Sequence, residues 1–173
     1  AEYSFTNYQL VGRLIETIAG CPLAVALDRE LLAPLGMSDT ALLTPETLPL
    51  FDAASPILHG TQSYRGARRL ASLGAEGALV STTADMMRFL RAVVDGEALG
   101  GGGLDPATLD LALRDRLPLF PRVAYGVGIM ALSLPRVLTG LPRPGTLLGH
   151  AGMTGHVMSF RLLIGALRAA RSR

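Results

Sequence analysis

A chain of 173 residues suits one domain and is long enough to bury a sizeable core. With 49% hydrophobic and 17% charged residues, it is neither a disordered tail nor a collagen-like repeat. The net charge is +2 and all 16 basic residues are arginine. They are scattered apart from Arg65, Arg68 and Arg69 and from Arg168, Arg171 and Arg173, so the single basic face with base-reading partners that nucleic-acid binding requires is missing.

The mean hydropathy of +0.37 is high for a soluble domain, as expected of a core that lacks a covering layer. Gly, Pro or Arg interrupts each apolar stretch before it could cross a bilayer, and Leu162 to Ala170 is too short. Cys21 is the lone cysteine, so no intrachain disulfide forms and the redox compartment stays open. Nothing here resembles a signal peptide. The start at Ala1, without Met and two residues before Tyr3, reads as a cut or a truncated reading frame.

In chain order, Tyr8 to Ala19 is predicted helical. Val11, Leu14, Ile15 and Ile18 follow the i, i+3, i+4, i+7 spacing, and Gly20 stands where a left-handed cap belongs. Pro22 opens a second helix at its favoured first position, with Ala24, Leu27 and Leu31 as its apolar stripe and Ala33 to Gly36 as its end. Thr44 to Gly74 is loop-rich, and pattern alone does not order it. Thr82-x-x-Asp85 has the form of a capping box. Behind it, Met86, Phe89, Leu90, Val93 and Val94 mark a helical stripe that Gly96 closes. Gly100 to Gly103 is a linker, since no Lys-Ser or Lys-Thr follows to make a phosphate loop. Asp105-Pro106 would cap a further helix to about Arg116.

The remainder is strand-like. Ala124 to Leu132, Thr146 to Gly149 and His156 to Ile164 are β-compatible, with Pro142, Pro144 and Gly145 in a connection. Helices first and strands last predict an α+β arrangement with an antiparallel sheet.

Two segments carry candidate chemistry. The first is Tyr3-Ser4-Phe5-Thr6-Asn7-Tyr8, followed by Leu10, Val11 and Gly12; the second is His150-Ala151-Gly152, followed by Gly155 and a β-type run. Taken alone, Tyr3 is an ordinary amphipathic tyrosine, and Gly149 to Gly152 also reads as a turn. Taken together, they resemble the second and third active-site motifs of the serine β-lactamase and penicillin-binding-protein-like hydrolases. Ala33-Pro34-Leu35-Gly36-Met37-Ser38-Asp39-Thr40, the segment Glu76 to Asp85, and Tyr125-Gly126-Val127-Gly128 also resemble segments of that family. The first two are read as a turn and a cap. The matches keep the family's order from Tyr3 to about Ser159.

The resemblance implies a helical subdomain plus an incomplete antiparallel sheet, in a partial domain spanning 1–173. Residues 1–120 would form the mainly helical part, 121–164 the strand-rich part and 165–173 a basic tail. It also implies roles. Tyr3 would move protons to and from the nucleophile and leaving group, and a phenol of pKa about 10 needs a nearby cation for that work. His150 would attract a substrate carboxylate or orient the hydroxyl network. Ala151 and Gly152 would line the substrate site, and the Met153 N–H would point into an oxyanion hole, where a fixed donor contributes about 3 kcal/mol in the transition state. Phe5 departs from the family, whose residue at this place is polar and hydrogen-bonds substrate.

The family's nucleophile belongs to Ser-x-x-Lys, and a chain with no lysine holds no such motif. Two readings follow. One is part of a hydrolase that works through an acyl-serine on a β-lactam, a D-Ala-D-Ala peptide or an ester, with no cofactor. The other is a non-catalytic remnant or interaction module that a second chain complements. His150 and His156 lack a third ligand at metal spacing, no Gly-x-Ser-x-Gly elbow exists, and Cys21 sits in a turn. An uncovered sheet edge would favour self-association. Family members are often exported, and the compartment here stays open.

Overall fold

The computed structural model describes residues 4–63, 68–95, 117–139, 145–152 and 158–163. The chain forms two compact units, Glu2–Phe89 and Leu90–Arg173.

The first unit opens with helix α1, Phe5–Ala19, which begins three residues earlier than the spacing of its apolar residues indicates. Ser4 is extended before it, and Gly20 closes it at φ 67° with its N–H on the Glu16 carbonyl. The apolar stripe of α1 is not its packed side. Val11, Leu14 and Ile18 are exposed, and the buried residue is Gly12. The reason is close approach: α1 lies so near a 3₁₀ segment, Arg68–Glu76, that a Cβ on Gly12 would stand 2.6 Å from that of Ala75. Gln9 fixes the same face by donating from Nε2 to the Leu73 carbonyl at 2.6 Å.

Helix α2, Leu23–Leu27, follows Pro22 and widens into a π-helical turn, Asp28–Leu32. Its start is held by Glu16, whose Oε1 accepts the Leu23 N–H at 3.0 Å. Leu23, Ala26 and Leu32 are the buried residues here, one position away from the expected stripe. The π turn adds a residue, which accounts for Leu32 in place of Leu31; Leu23 and Ala26 precede it.

Strands β1, Ala41–Leu42, and β4, Leu79–Val80, pair antiparallel. Between them lie helix α3, Leu48–Ala53, and a hairpin of β2, Leu58–His59, with β3, Gln62–Ser63. Leu43, Phe51 and Ala78 form the core of this region, with Leu42, Ile57, Leu70, Ala71, Leu73 and Val80 packed on it.

Helix α4, Thr83–Asp95, begins beside a polar clasp. Asp85 is fully buried. Its Oδ2 accepts from the Asp39 N–H at 2.9 Å and from the Thr40 hydroxyl at 2.8 Å, while Oδ1 pairs with Arg88. Thr40 and Ser81 hydroxyls also meet at 2.7 Å. Burial pushes the Asp85 carboxyl up, but the bonds from Thr40, Asp39 and Arg88 together hold it below the ordinary carboxylate range.

The second unit is an antiparallel meander of five strands in chain order. They are β5, Leu117–Phe120; β6, Val123–Tyr125; β7, Met130–Leu134; β8, Gly145–Ala151; and β9, Met158–Leu163. A helical turn, Arg136–Thr139, follows β7. The expected strand Ala124 to Leu132 is divided, because Gly128 at φ 75° turns the chain between β6 and β7. Among the described residues of the meander, Tyr125, Ile129, Ala131 and Leu148 are the buried apolar ones. The expected linker Gly100 to Gly103, the helix from Asp105 and the cap at Gly96 lie outside the described residues.

Helices and antiparallel sheets make this an α+β fold. Among the described residues no single helix is long and apolar enough to cross a membrane. The pair Phe5–Ala19 and Leu23–Leu32, bent by 77°, meets the length and composition only jointly.

Candidate active site

Strand β8 carries the candidate motif at its far end. Its register with β9 pairs Gly149 with Phe160, His150 with Ser159 and Ala151 with Met158. His150 is therefore a strand residue, not part of a turn, and Gly152 follows directly after the strand. On the other side Met130 pairs with Gly149, and the same Met130 pairs with Tyr125 on β6. This register brings the end of β6 to the end of β8.

Tyr125 and His150 use that proximity. The Tyr125 hydroxyl lies 3.1 Å from His150 Nε2. The two rings meet edge to face, with centroids 5.6 Å apart and planes at 82°. Tyr125 is buried and His150 half-buried. Burial draws the His150 pKa below its ordinary 6.5, opposed in part by a hydrogen bond with the Ala151 backbone. Burial thus favours the neutral imidazole. When Nδ1 carries its proton, the phenol donates to Nε2 and fixes both tautomer and ring orientation.

The other expected site residues separate by unit. Phe5 occupies the first turn of α1 in the first unit and is exposed. His150, Ala151 and Gly152 belong to the second unit. Tyr3 and Met153 lie outside the described residues. The residue that motif reading left out of the site is Tyr125. Its signal was the Tyr125-Gly126-Val127-Gly128 segment, which resembles a family strand but does not itself show that the phenol reaches His150.

No group of three or more His, Cys, Asp or Glu side chains able to hold a metal occurs among the described residues. A pocket of about 330 Å³ in the first unit is lined by Gln9, Gly12, Arg13, Glu16 and Leu23, among others. Its polar side chains are engaged: Gln9 with Leu73, Glu16 with Arg13 and the Leu23 N–H. None of the expected site residues lines it.

The sequence model of the family described as Beta-lactamase matches residues 1–165, and the chain belongs to that family. Among solved structures it is similar to D-amino acid amidase from Ochrobactrum anthropi SV3, at 30% identity and a TM-score of 0.70 over 89% of this chain and 44% of that one. It is also similar to a D-stereospecific amidohydrolase from Streptomyces sp., at 24% identity and a TM-score of 0.62 over 87% of this chain and 43% of that one. The octameric penicillin-binding protein homologue from Pyrococcus abyssi shares 20% identity and a TM-score of 0.61, over 88% and 33%. The last two likenesses concern the fold alone. The chain spans less than half the length of these relatives.

Proposed function

We propose that this chain supplies the tyrosine and histidine motifs of an acyl-serine hydrolase acting on a small amide or ester, and that the Ser-x-x-Lys motif comes from polypeptide outside these 173 residues. The observation that carries the reading is the Tyr125–His150 pair, which joins the end of β6 to the end of β8, the strand that carries His150 and Ala151 and leads into Gly152. A neutral, oriented imidazole suits one of the two roles the family motif allows. Its environment favours directing a hydroxyl network beside a reacting carbonyl over attracting a carboxylate as a cation.

In this reading the serine oxygen, supplied with the lysine, attacks the carbonyl, and its proton passes through that network to the leaving amine or alcohol. Water then cleaves the acyl-serine, so that acid is released and the serine regains its proton. Tyr3 carries protons between these groups. Ala151 and Gly152 line the substrate site beside His150; the resemblance gives the oxyanion to the Met153 N–H and a substrate contact to Phe5. Phe5 offers no hydrogen bond, so it favours a substrate with an apolar group at that place. D-Amino acid amides, β-lactams and D-Ala-D-Ala peptides all fall within the carbonyl chemistry. Tyr125 acts as a positioning residue through His150.

The absence of lysine and the presence of Phe5 favour a second reading, a non-catalytic module that associates with another chain. Intact mass after incubation with benzylpenicillin or p-nitrophenyl acetate separates the two. The chain alone is expected to gain no adduct, and an adduct on one of its own serines would overturn the assignment of an external nucleophile. With a complementing Ser-x-x-Lys fragment, the hydrolase reading expects acylation of that fragment's serine. Tyr125→Phe should shift the pH profile of that acylation, and His150→Ala should abolish it. A folded complex that is never acylated would leave the non-catalytic module.

A further inference from the structure

On α1, Leu10, Val11, Leu14 and Ile18 are 64%, 51%, 57% and 78% exposed. At 3.6 residues per turn they lie within an arc of about 100°, on the far side of the helix from Gly12. A helix packed in a finished domain turns such an arc inward. Here the packed side is the small and polar one, where Gly12 presses on Ala75 and Gln9 and Glu16 are hydrogen-bonded. Asn7 is the one polar residue within the arc. The charges of α1 are Arg13 and Glu16, which pair with each other at 3.1 Å.

We propose that this arc is the docking surface for the part of the β-lactamase fold that these residues do not contain, and that the partner presents an uncharged, apolar face to it. The family match runs through α1, yet 89% of the chain superposes on only 44% of the Ochrobactrum amidase. More than half of that fold has no counterpart here, and the arc is an apolar surface on a matched helix that no described residue of the first unit covers. Its charge character disfavours a lipid surface. Interfacial helices flank their apolar side with Lys and Arg, whereas the single arginine of α1 is neutralised by Glu16. The identity of the partner, a segment bearing Ser-x-x-Lys, rests on the function proposed above.

The test combines the full chain with a recombinant fragment of the Ochrobactrum amidase made of the residues that have no counterpart here. Hydrogen exchange over residues 10–18 should slow by roughly tenfold or more when the fragment is added. The double substitution Leu14→Asp, Ile18→Asp should remove that slowing and leave the thermal midpoint of the chain alone unchanged. No slowing, or slowing that survives the double substitution, overturns the proposal. So does a large fall in the midpoint of the substituted chain alone, which would mean that the arc is already buried within the chain. A dimer in ultracentrifugation that the substitutions dissociate would assign the arc to a second copy. Protection by phosphatidylglycerol vesicles but not by the fragment would assign it to lipid. Penicillin acylation of the same mixture is read separately by mass. Protection without acylation keeps the docking surface and removes the catalytic role; acylation without protection does the reverse.

Discussion

Gly12→Ala opposes two effects of comparable size, and the structure decides between them. In the interior of α1, alanine is favoured over glycine by about 1 kcal/mol through helix propensity. The added Cβ, however, stands 2.6 Å from the Ala75 Cβ and 3.4 Å from Leu23 Cδ2. Carbon atoms in contact sit about 3.5–4.0 Å apart, so α1 must retreat from the 3₁₀ segment by roughly 1 Å. Neither methyl has a rotamer that relieves the clash. Overpacking of this kind costs about 1–3 kcal/mol, and the retreat also stretches the Gln9 bond to the Leu73 carbonyl. The expected net result is a loss of about 1 kcal/mol in the first unit. Because the chain has two units, a single global transition is not assumed. Native-state hydrogen exchange over residues 5–19 reads the effect locally, with urea unfolding alongside. Ala75→Gly in the same chain should restore the room, giving a favourable coupling of about 1 kcal/mol. If Gly12→Ala slows exchange in α1, or the pair shows no coupling, the close approach of helix and 3₁₀ segment is not what fixes this glycine.

Asp85→Ala should lower the urea midpoint of the first unit more than an exposed-charge change such as Arg29→Ala, because the Asp39 N–H and the Thr40 hydroxyl both lose their acceptor. The folded carboxyl titrates below its ordinary 3.8, so its contribution is present above that pH and is lost as pH falls through the folded midpoint. In the second unit, burial holds His150 below 6.5, so the unfolded chain takes up that proton first. Stability of the sheet should be level above pH 6.5 and fall as pH drops from there through the folded midpoint, and His150→Gln should flatten that slope. A nuclear magnetic resonance titration placing the His150 midpoint above 6.5 would reverse the sign.

Local pattern conveyed the helix after Tyr8, the cap at Gly20 and the strand character of Thr146 to Gly149, since each depends on neighbours in sequence. It did not convey which side of α1 packs. That depends on Ala75, 63 positions away, and a glycine scores as a weak helix residue until its neighbour is known. Thr82-x-x-Asp85 shows the same limit. The Asp85 N–H does reach Thr82 Oγ1 at 3.3 Å, as a cap should. The carboxylate instead turns to residues 45 and 46 positions earlier, which joins the two segments that the sequence suggested were merely a turn and a cap. At the candidate site, His150-Ala151-Gly152 was visible as a motif. Its strand setting and its phenol partner come from a register that passes through Met130, and no local pattern encodes that.

The Asp85 clasp and the short β1–β4 ladder together close a ring of chain. The Thr40 and Ser81 hydroxyls that meet there are 41 residues apart, and the tip of the hairpin inside the ring, Gly60 and Thr61, is exposed. Ring-closure entropy grows only as the logarithm of length. Ten residues inserted between Gly60 and Thr61 would therefore weaken closure by about 0.2 kcal/mol, less than the loss of a single hydrogen bond. The two ends stay clasped whatever the hairpin becomes. Length variation among homologues, and grafted loops in engineered ones, should accumulate at this tip, where the surrounding unit scarcely registers them.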